Sequence, residues 1–308
     1  MNTIVFSDDI SLTCELLSGA RIISDGFVSA IVIGTRDDVG RLSKFGANRI
    51  LWLGEANARI IDDFIPTIQM LAETEGADLF LVGATVCGNA VAARTAAKLN
   101  TSVLTKAKEI TECAAICGSH VIYGGGATRT ERCIDGMFIA TVTAGTYEPK
   151  LADKSCEIRS VAFIEPKHKI VKIRSSDKQT GVSGVTSAKR VVCAGKGFET
   201  KDDLRLAYGL AAALDAAVGY TRPVIEMSPP ITNDEQYIGV SGLEIRPELY
   251  FAIATSGQVQ HMAGVSDAKC IVGINSDADA PIFKNCDYGI VSDYREFVPE
   301  LIEVLKKI

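Results

Sequence analysis

LYFAIATSGQVQHMAG, Leu249–Gly264, is the stretch whose reading decides the architecture of this chain. Leu249–Ala254 is a short apolar run without Gly or Pro, Thr255-Ser256-Gly257 interrupts it, and a polar and apolar run suited to a helix follows. A strand, a glycine turn and a helix start in that order make a nucleotide cradle. The glycine lets a diphosphate approach the main chain, and the free N–H groups of the first helical turn face it with the positive end of the helix dipole. His261 falls about one turn into that helix, within reach of the same ligand.

Outward from this stretch, the pattern is strand and helix in alternation. Val191–Ala194 and Cys270–Ile274 read as strands, Lys201–Leu214 as an amphipathic helix and Tyr294–Lys307 as a closing helix. In the N-terminal half Thr3–Phe6, Val28–Ile33, Arg49–Leu53 and Asp78–Val82 are short apolar runs, each followed by a helical segment such as Ser11–Ser24 or Asp62–Glu75. The Ala-rich Asn89–Leu99 is a further helix. Such alternation predicts parallel sheets with helices on both faces. After Asn100 the runs Ala115–Ile122, Phe138–Thr143 and Ile158–Ile173, with glycine turns between them, predict antiparallel additions. The fold class is therefore α/β, two Rossmann-like domains with parallel sheets, the N-terminal one carrying added antiparallel strands. Ser175–Lys189, rich in Ser, Thr, Gly and Lys without apolar period, is the best linker, which sets domains at 1–189 and 190–308.

Composition narrows the function. A chain of 308 residues predicts two domains, each with its own core. Hydrophobic residues at 47% with no run near the length of a bilayer span exclude membrane insertion. A net charge of −6, with no basic cluster interleaved with aromatics, excludes a nucleic-acid partner. The nine cysteines lie scattered in apolar segments, as reduced thiols do, and MNTIVFSDD starts a strand at once, without a signal peptide. A cytoplasmic address is expected. Cys113, Cys117 and His120 have a metal-like spacing, but no fourth ligand follows, so no metal site is expected. Gly124–Gly126 lacks phosphate-loop spacing and reads as a tight turn; Asp8 and Asp9 read as a helix cap.

From Val191 onward seven blocks stand in order: GKGF at Gly195–Phe198, VGYTRP at Val218–Pro223, IGVSG at Ile238–Gly242, PELYFAIATSGQVQHMAG at Pro247–Gly264, GIN at Gly273–Asn275, APIF at Ala280–Phe283 and DYGIVSD at Asp287–Asp293. With them the chain resembles the α subunit of electron-transfer flavoproteins, and within that family the bacterial and archaeal FixB-like branch. The N-terminal half matches more weakly, through YGGGATRTERC and GTYEP. The resemblance implies FAD in the C-terminal domain and a redox carrier rather than a turnover enzyme. It also implies a β subunit carrying AMP or a second flavin, which contacts the N-terminal domain. Electrons would come from a donor dehydrogenase and go to a quinone or other acceptor.

By the same resemblance Arg222 lies over the flavin ring, where a fixed guanidinium favours the reduced, more negative states, Ser241 stands where a threonine hydroxyl meets flavin N5, and His261 sits near O2, where a proton or partial positive charge stabilises an anionic semiquinone. These three are the redox-tuning residues. If His261 contributes roughly 1–3 kcal/mol to the reduced form, its loss lowers the potential by roughly 40–130 mV. Ser256, Gly257, Gln258, Val259 and Gln260 match the segment around diphosphate and ribitol, while Asn275, Asp293 and Tyr294 match the adenosine end. Lys196, Thr221, Gly239 and Val240 complete the cofactor-binding set. Two of them depart from the family: Lys196 replaces an arginine of GRG and loses its planar fork, and Val240 replaces a polar glutamine. These departures keep open a subunit that has lost flavin and serves assembly or regulation. A conventional FAD- or NAD-dependent oxidoreductase is the other alternative, but no acid–base pair stands beside TSGQVQH.

Overall fold

The computed structural model describes residues 1–112, 114–152, 156–168, 170–174, 184–227, 232 and 237–307. Two compact units divide the chain, Met1–Ile122 with Ala127–Ser175 and Tyr123–Gly126 with Ser176–Ile308. Among the described residues no helix is long and apolar enough to cross a membrane.

In the first unit β1 (Thr3–Phe6), α1 (Ile10–Ile23), β2 (Val28–Val32), α2 (Arg36–Leu42), β3 (Arg49–Trp52), α3 (Ile61–Thr74), β4 (Leu79–Gly83) and α4 (Val86–Leu99) alternate. Then come β5 (Val103–Leu104), β6 (Glu109–Glu112), β7 (Ile116–Ile122), β8 (Ala127–Arg132), β9 (Phe138–Val142) and β10 (Glu157–Ser160). The main sheet has the order β10-β3-β2-β1-β4-β9-β5, and every pair in it is parallel. Because successive side chains leave a strand on opposite faces, Val5, Leu79 and Leu81 pack with Leu12, Leu16 and Leu17 of α1 and Leu42 of α2. Ile4, Phe6, Phe80 and Val82 pack on the other face with Phe64 and Ile68 of α3 and Val91 and Ala96 of α4. Each such side chain, once buried, contributes about 1.5–3 kcal/mol. Asp9 caps α1, its carboxylate accepting from the N–H of Ser11 and Leu12, as its position predicts.

The antiparallel expectation holds only in part. β6, β7 and β8 form a separate antiparallel sheet, and Tyr123–Gly125 turns between its last two strands, with Gly124 and Gly125 at φ of 61° and 103°. Phe138–Thr143, by contrast, supplies β9, which runs parallel between β4 and β5 and is buried throughout. Of Ile158–Ile173 only the start is a strand: β10 pairs in parallel with β3 at the sheet edge, and Val171 and Ile173 beyond it are exposed. A run buried on both faces belongs to a parallel sheet, whatever its place in the chain.

In the second unit the order is α5 (Gly184–Ser187), β11 (Arg190–Ala194), α6 (Lys201–Leu214), β12 (Ala217–Tyr220), α7 (Arg222–Ile225), β13 (Leu249–Ile253), α8 (Val259–Met262), β14 (Ile271–Asn275), β15 (Tyr288–Val291) and α9 (Tyr294–Leu305). Its sheet, β12-β11-β13-β14-β15, is parallel throughout. One face carries Val192, Ala194 and Ile253 under α6 and α9. Asp203 ties those helices, completing the capping box of Thr200 and taking two hydrogen bonds from Arg295, which hold its carboxyl below the usual range. The other face, with Val191, Cys193, Tyr250 and Ala252, is covered by Val185, Ile238, Ile245, Met262 and Ile282 instead of long helices. Of the Ser175–Lys189 stretch expected as a linker, residues 175–183 lie outside the described residues. Gly184–Ser187 is helical, and Val185 is buried in the second unit.

Candidate functional site

Five parallel strands send all their carboxyl ends to one edge of the second sheet. Along that edge stand Thr221 and Arg222 after β12, Gly195 and Lys196 after β11, Ala254–Gly257 after β13, Asn275 closing β14, and Asp293 beyond β15. The chain order 2-1-3-4-5 reverses between β11 and β13, and open α/β sheets bind ligands at that reversal. Neighbouring strands lie about 4.8 Å apart, so the outer two are separated by roughly 19 Å, a span for an extended ligand.

At the reversal the main chains touch. A Cβ on Gly195 would lie 2.1 Å from the Ala254 carbonyl oxygen, and one on Gly257 would lie 2.4 Å from both N and Cα of Ile282. Ala254 has φ of 51° and Gly257 φ of 76°, so the turn is left-handed at two points, and at Ala254 that costs about 1–2 kcal/mol. Ile282 N–H donates to Ser256 O at 2.9 Å, and Asn275 Nδ2 donates to Thr255 O at 2.9 Å, so the end of β14 and the 3-10 turn Pro281–Lys284 after it pin the turn. Among the described residues nothing accepts from the N–H groups of Ser256, Gly257 and Gln258. The helix that follows, α8, has four residues rather than the longer run expected, so its dipole is small and the cradle is made by the turn itself.

A cavity of about 600 Å³ opens here, inside the roughly 300–1,000 Å³ range of small-molecule sites. Of the expected residues, Lys196, Thr221 and Arg222 line one part, Gly239, Val240 and Ser241 another, and Ser256, Gly257, Gln258, Gln260, His261 and Asn275 the rest. Three do not line it. Val259 is exposed, Asp293 caps α9 by accepting from Arg295 N–H, and Tyr294 stacks on Phe198 with its hydroxyl donating to Gly197 O. The cavity also takes in Glu226, Tyr237, Ala254 and Thr255, which the sequence reading passed over. Only Thr255, inside the quoted turn, carried a local signal.

Two observations say that the wall suits a polar ligand. Thr221 and Thr255 are buried, and among the described residues the hydroxyl of neither has a partner. Native interiors rarely leave such groups unpaired, and a ligand in the cavity would complete them. Two cations, Lys196 and Arg222, line the same cavity. Arg222 Nε donates to Glu226 Oε1 at 2.7 Å, and that bond holds the guanidinium's pKa above its ordinary value. Tyr237 OH donates to Ser241 O at 2.6 Å, which fixes the loop bearing the serine hydroxyl.

His261 lines the cavity with a ring that the protein itself holds. Its Nδ1 lies 3.0 Å from Ile238 O and its Nε2 2.7 Å from Tyr250 OH, so the protein already occupies both ring nitrogens. Burial pushes its pKa down, with the Ile238 carbonyl opposing that shift, so of the two forms left open by the sequence the neutral ring with its partial charges is favoured. Elsewhere, Cys113 of the metal-like cluster lies outside the described residues. Among those described, no group of His, Cys, Asp and Glu could hold a metal.

Comparison with known proteins matches residues 11–166 to the electron transfer flavoprotein domain and residues 177–266 to the electron transfer flavoprotein FAD-binding domain. The chain is 35% identical over 307 residues to YdiR of Escherichia coli (strain K12), named as an electron transfer flavoprotein subunit, covering 98% of this chain and 97% of that one. It is 33% identical over 308 residues to the protein FixB of Escherichia coli O6:K15:H31, with the same coverage.

Proposed function

This chain belongs to the electron-transfer flavoprotein family as a FixB-like α subunit, and from that premise we propose how its second unit holds FAD and tunes it. The protein binds FAD and relays electrons, as the carriers of this family do, in a heterodimer with a β subunit. Bound FAD supplies the electron storage, and the chain supplies binding, orientation and electrostatics.

The carrying observation is the turn at the strand reversal, with its accepting-partner-free N–H groups, its unpartnered Thr255 hydroxyl and the cavity between two cations. The N–H groups of Ser256, Gly257 and Gln258 hold the diphosphate, and Lys196 adds charge there. Asn275 holds the adenosine side, with Asp293 one strand further along the same edge. Arg222, after β12 at the opposite end, acts on the ring together with Ser241 and His261. Glu226 is engaged by Arg222, which supports a carrier over a substrate-transforming oxidoreductase. To test this, the chain is purified with its β subunit, the ligand released by heat and its mass measured. FAD is expected; FMN alone, or no flavin from the assembled heterodimer, overturns the reading.

The finer assignments belong to the same proposal. Donor dehydrogenase, quinone or other acceptor, and AMP or a second flavin in the β subunit complete the relay, in the cytoplasm. The cysteines of the described residues are all free thiols, which suits that compartment. The domain boundary falls in the Ser175–Lys189 stretch, before the buried Val185. Residues 175–183 carry one apolar side chain, Val182, so brief proteolysis should cut first there and leave two fragments. First cuts inside Val191–Ile308 would move the boundary.

A further inference from the structure

Beneath the cavity floor lies a group that no flavin contact requires. Tyr250 is fully buried in β13, and its hydroxyl meets His261, eleven residues on, across the turn. We propose that Tyr250 is a positioning residue that holds His261 in the cavity wall as a neutral imidazole, with its proton on Nδ1 and its Nε2 closed off as an acceptor. The inference rests on the FAD reading of the cavity, since it states what His261 presents to that ligand.

Donors and acceptors fix the state of the ring. A backbone carbonyl only accepts, so the 3.0 Å contact with Ile238 O requires a proton on Nδ1. In the neutral ring Nε2 then bears a lone pair, and the Tyr250 hydroxyl 2.7 Å away donates to it. Both partners are satisfied without a charge. A doubly protonated ring would need Tyr250 to accept from Nε2 and send its own proton elsewhere. The group that meets the hydroxyl there is the fully buried thiol of Cys193, a weak acceptor.

The surroundings favour the same state. From β11 the facing group is the Cys193 thiol, from β13 the Tyr250 hydroxyl, and from the Tyr237–Leu243 segment the Ile238 carbonyl with the polar groups of Tyr237 and Ser241. The charged groups of the cavity are Lys196, Arg222 and Glu226, and Glu226 is bonded to Arg222. Among the described residues no other carboxylate lines the cavity to balance an imidazolium, and the two cations oppose one. His261 therefore acts on a ligand as a fixed dipole whose contribution does not vary with pH. A tyrosine in an apolar strand thereby sets the charge of a residue in the cofactor site.

The test is nitrogen NMR of the full chain labelled with ¹⁵N-histidine, with and without its β subunit. Three histidines are present, and the His261 signals are those lost in His261→Gln. The expected wild-type spectrum has one tautomer, Nδ1 protonated and Nε2 bare, unchanged across neutral pH. In Tyr250→Phe, which keeps the ring and its burial, Nδ1 should keep its proton on Ile238 O while the bare Nε2, its donor removed, moves downfield and the other two histidines keep their shifts. A wild-type ring protonated on Nε2, or charged at neutral pH, overturns the proposal even if the variant does not fold. So does a Tyr250→Phe spectrum identical to wild type. A colourless heterodimer with the expected tautomer would instead strike the FAD reading and leave the pair standing.

Discussion

Gly257→Ala should yield a heterodimer that has lost most of its FAD, while the first unit stays folded. The substitution acts twice. At φ of 76° any Cβ costs about 1–2 kcal/mol, and this one would meet the N and Cα of Ile282 at 2.4 Å, backbone atoms that cannot rotate away. Relief requires the turn to part from Ile282, which breaks the Ser256–Ile282 hydrogen bond and moves the three N–H groups assigned to the diphosphate. Overpacking of this kind costs about 1–3 kcal/mol, so a tenfold or larger loss of affinity is expected, at about 1.4 kcal/mol per factor of ten. Gly54→Ala is the control, because Gly54 shares the positive φ, at 80°, but has open space around its Cβ position and lies in the first unit. Flavin absorbance per heterodimer and thermal melts of both variants decide it. Full flavin content in Gly257→Ala, or equal loss in Gly54→Ala, would refute the cradle.

The parallel strands could be read from the chain because they are continuous apolar runs buried on both faces, as Val191–Ala194 and Leu79–Gly83 show. The limits of α6 could be read to the residue. Thr200 and Asp203 form its capping box, and Asp215 ends it in the left-handed region at φ of 49°. Strand direction could not. Phe138–Val142 and Glu157–Ser160 look alike as parallel or antiparallel strands, since direction is set by how the chain crosses the sheet and not by residue type. Ala217–Tyr220 and Tyr288–Val291 were invisible as strands: each is short and contains a glycine, and the second is largely exposed.

The site divides in the same way. The turn residues are contiguous, so a local reading finds them. Glu226 matters only because Arg222–Ile225 is helical and brings it one turn from Arg222, in a stretch with no helical period to reveal it. Tyr250 reads as one more apolar strand residue, and its hydroxyl gains meaning only from a histidine that the turn folds back upon it. The sequence left open whether His261 offers a proton or only a partial positive charge for that reason. Its neighbours in space, a carbonyl, a tyrosine and a thiol, are far apart in the chain. With a neutral imidazole, His261→Ala should shift the flavin potential less than a lost charge would, which leaves Arg222 as the main positive influence.

Arg222→Ala should lower the potential of bound FAD, and Glu226→Gln should raise it. Reduction adds negative charge to the flavin, so a fixed cation beside the ring favours the reduced protein and its loss favours the oxidised one. Arg222 keeps its charge at every accessible pH, because its bond to Glu226 raises a pKa that is already high. That same carboxylate, 2.7 Å from Nε, cancels part of the field, so replacing it with an uncharged amide of the same shape leaves more of the arginine's effect on the ring. Both side chains are mostly exposed, at 60% and 58%, so neither change should move the melting temperature by more than a few degrees. Solvent also screens them, and each shift is expected on the order of tens of millivolts, shrinking as salt is raised. The double variant separates two ways in which Glu226 can act. If it works by restraining Arg222, its effect disappears in the Arg222→Ala background; if it works by its own charge on the flavin, the two shifts add. A spectroelectrochemical titration of the heterodimer measures all four proteins, and a rise in potential on losing Arg222 would remove the guanidinium from the ring.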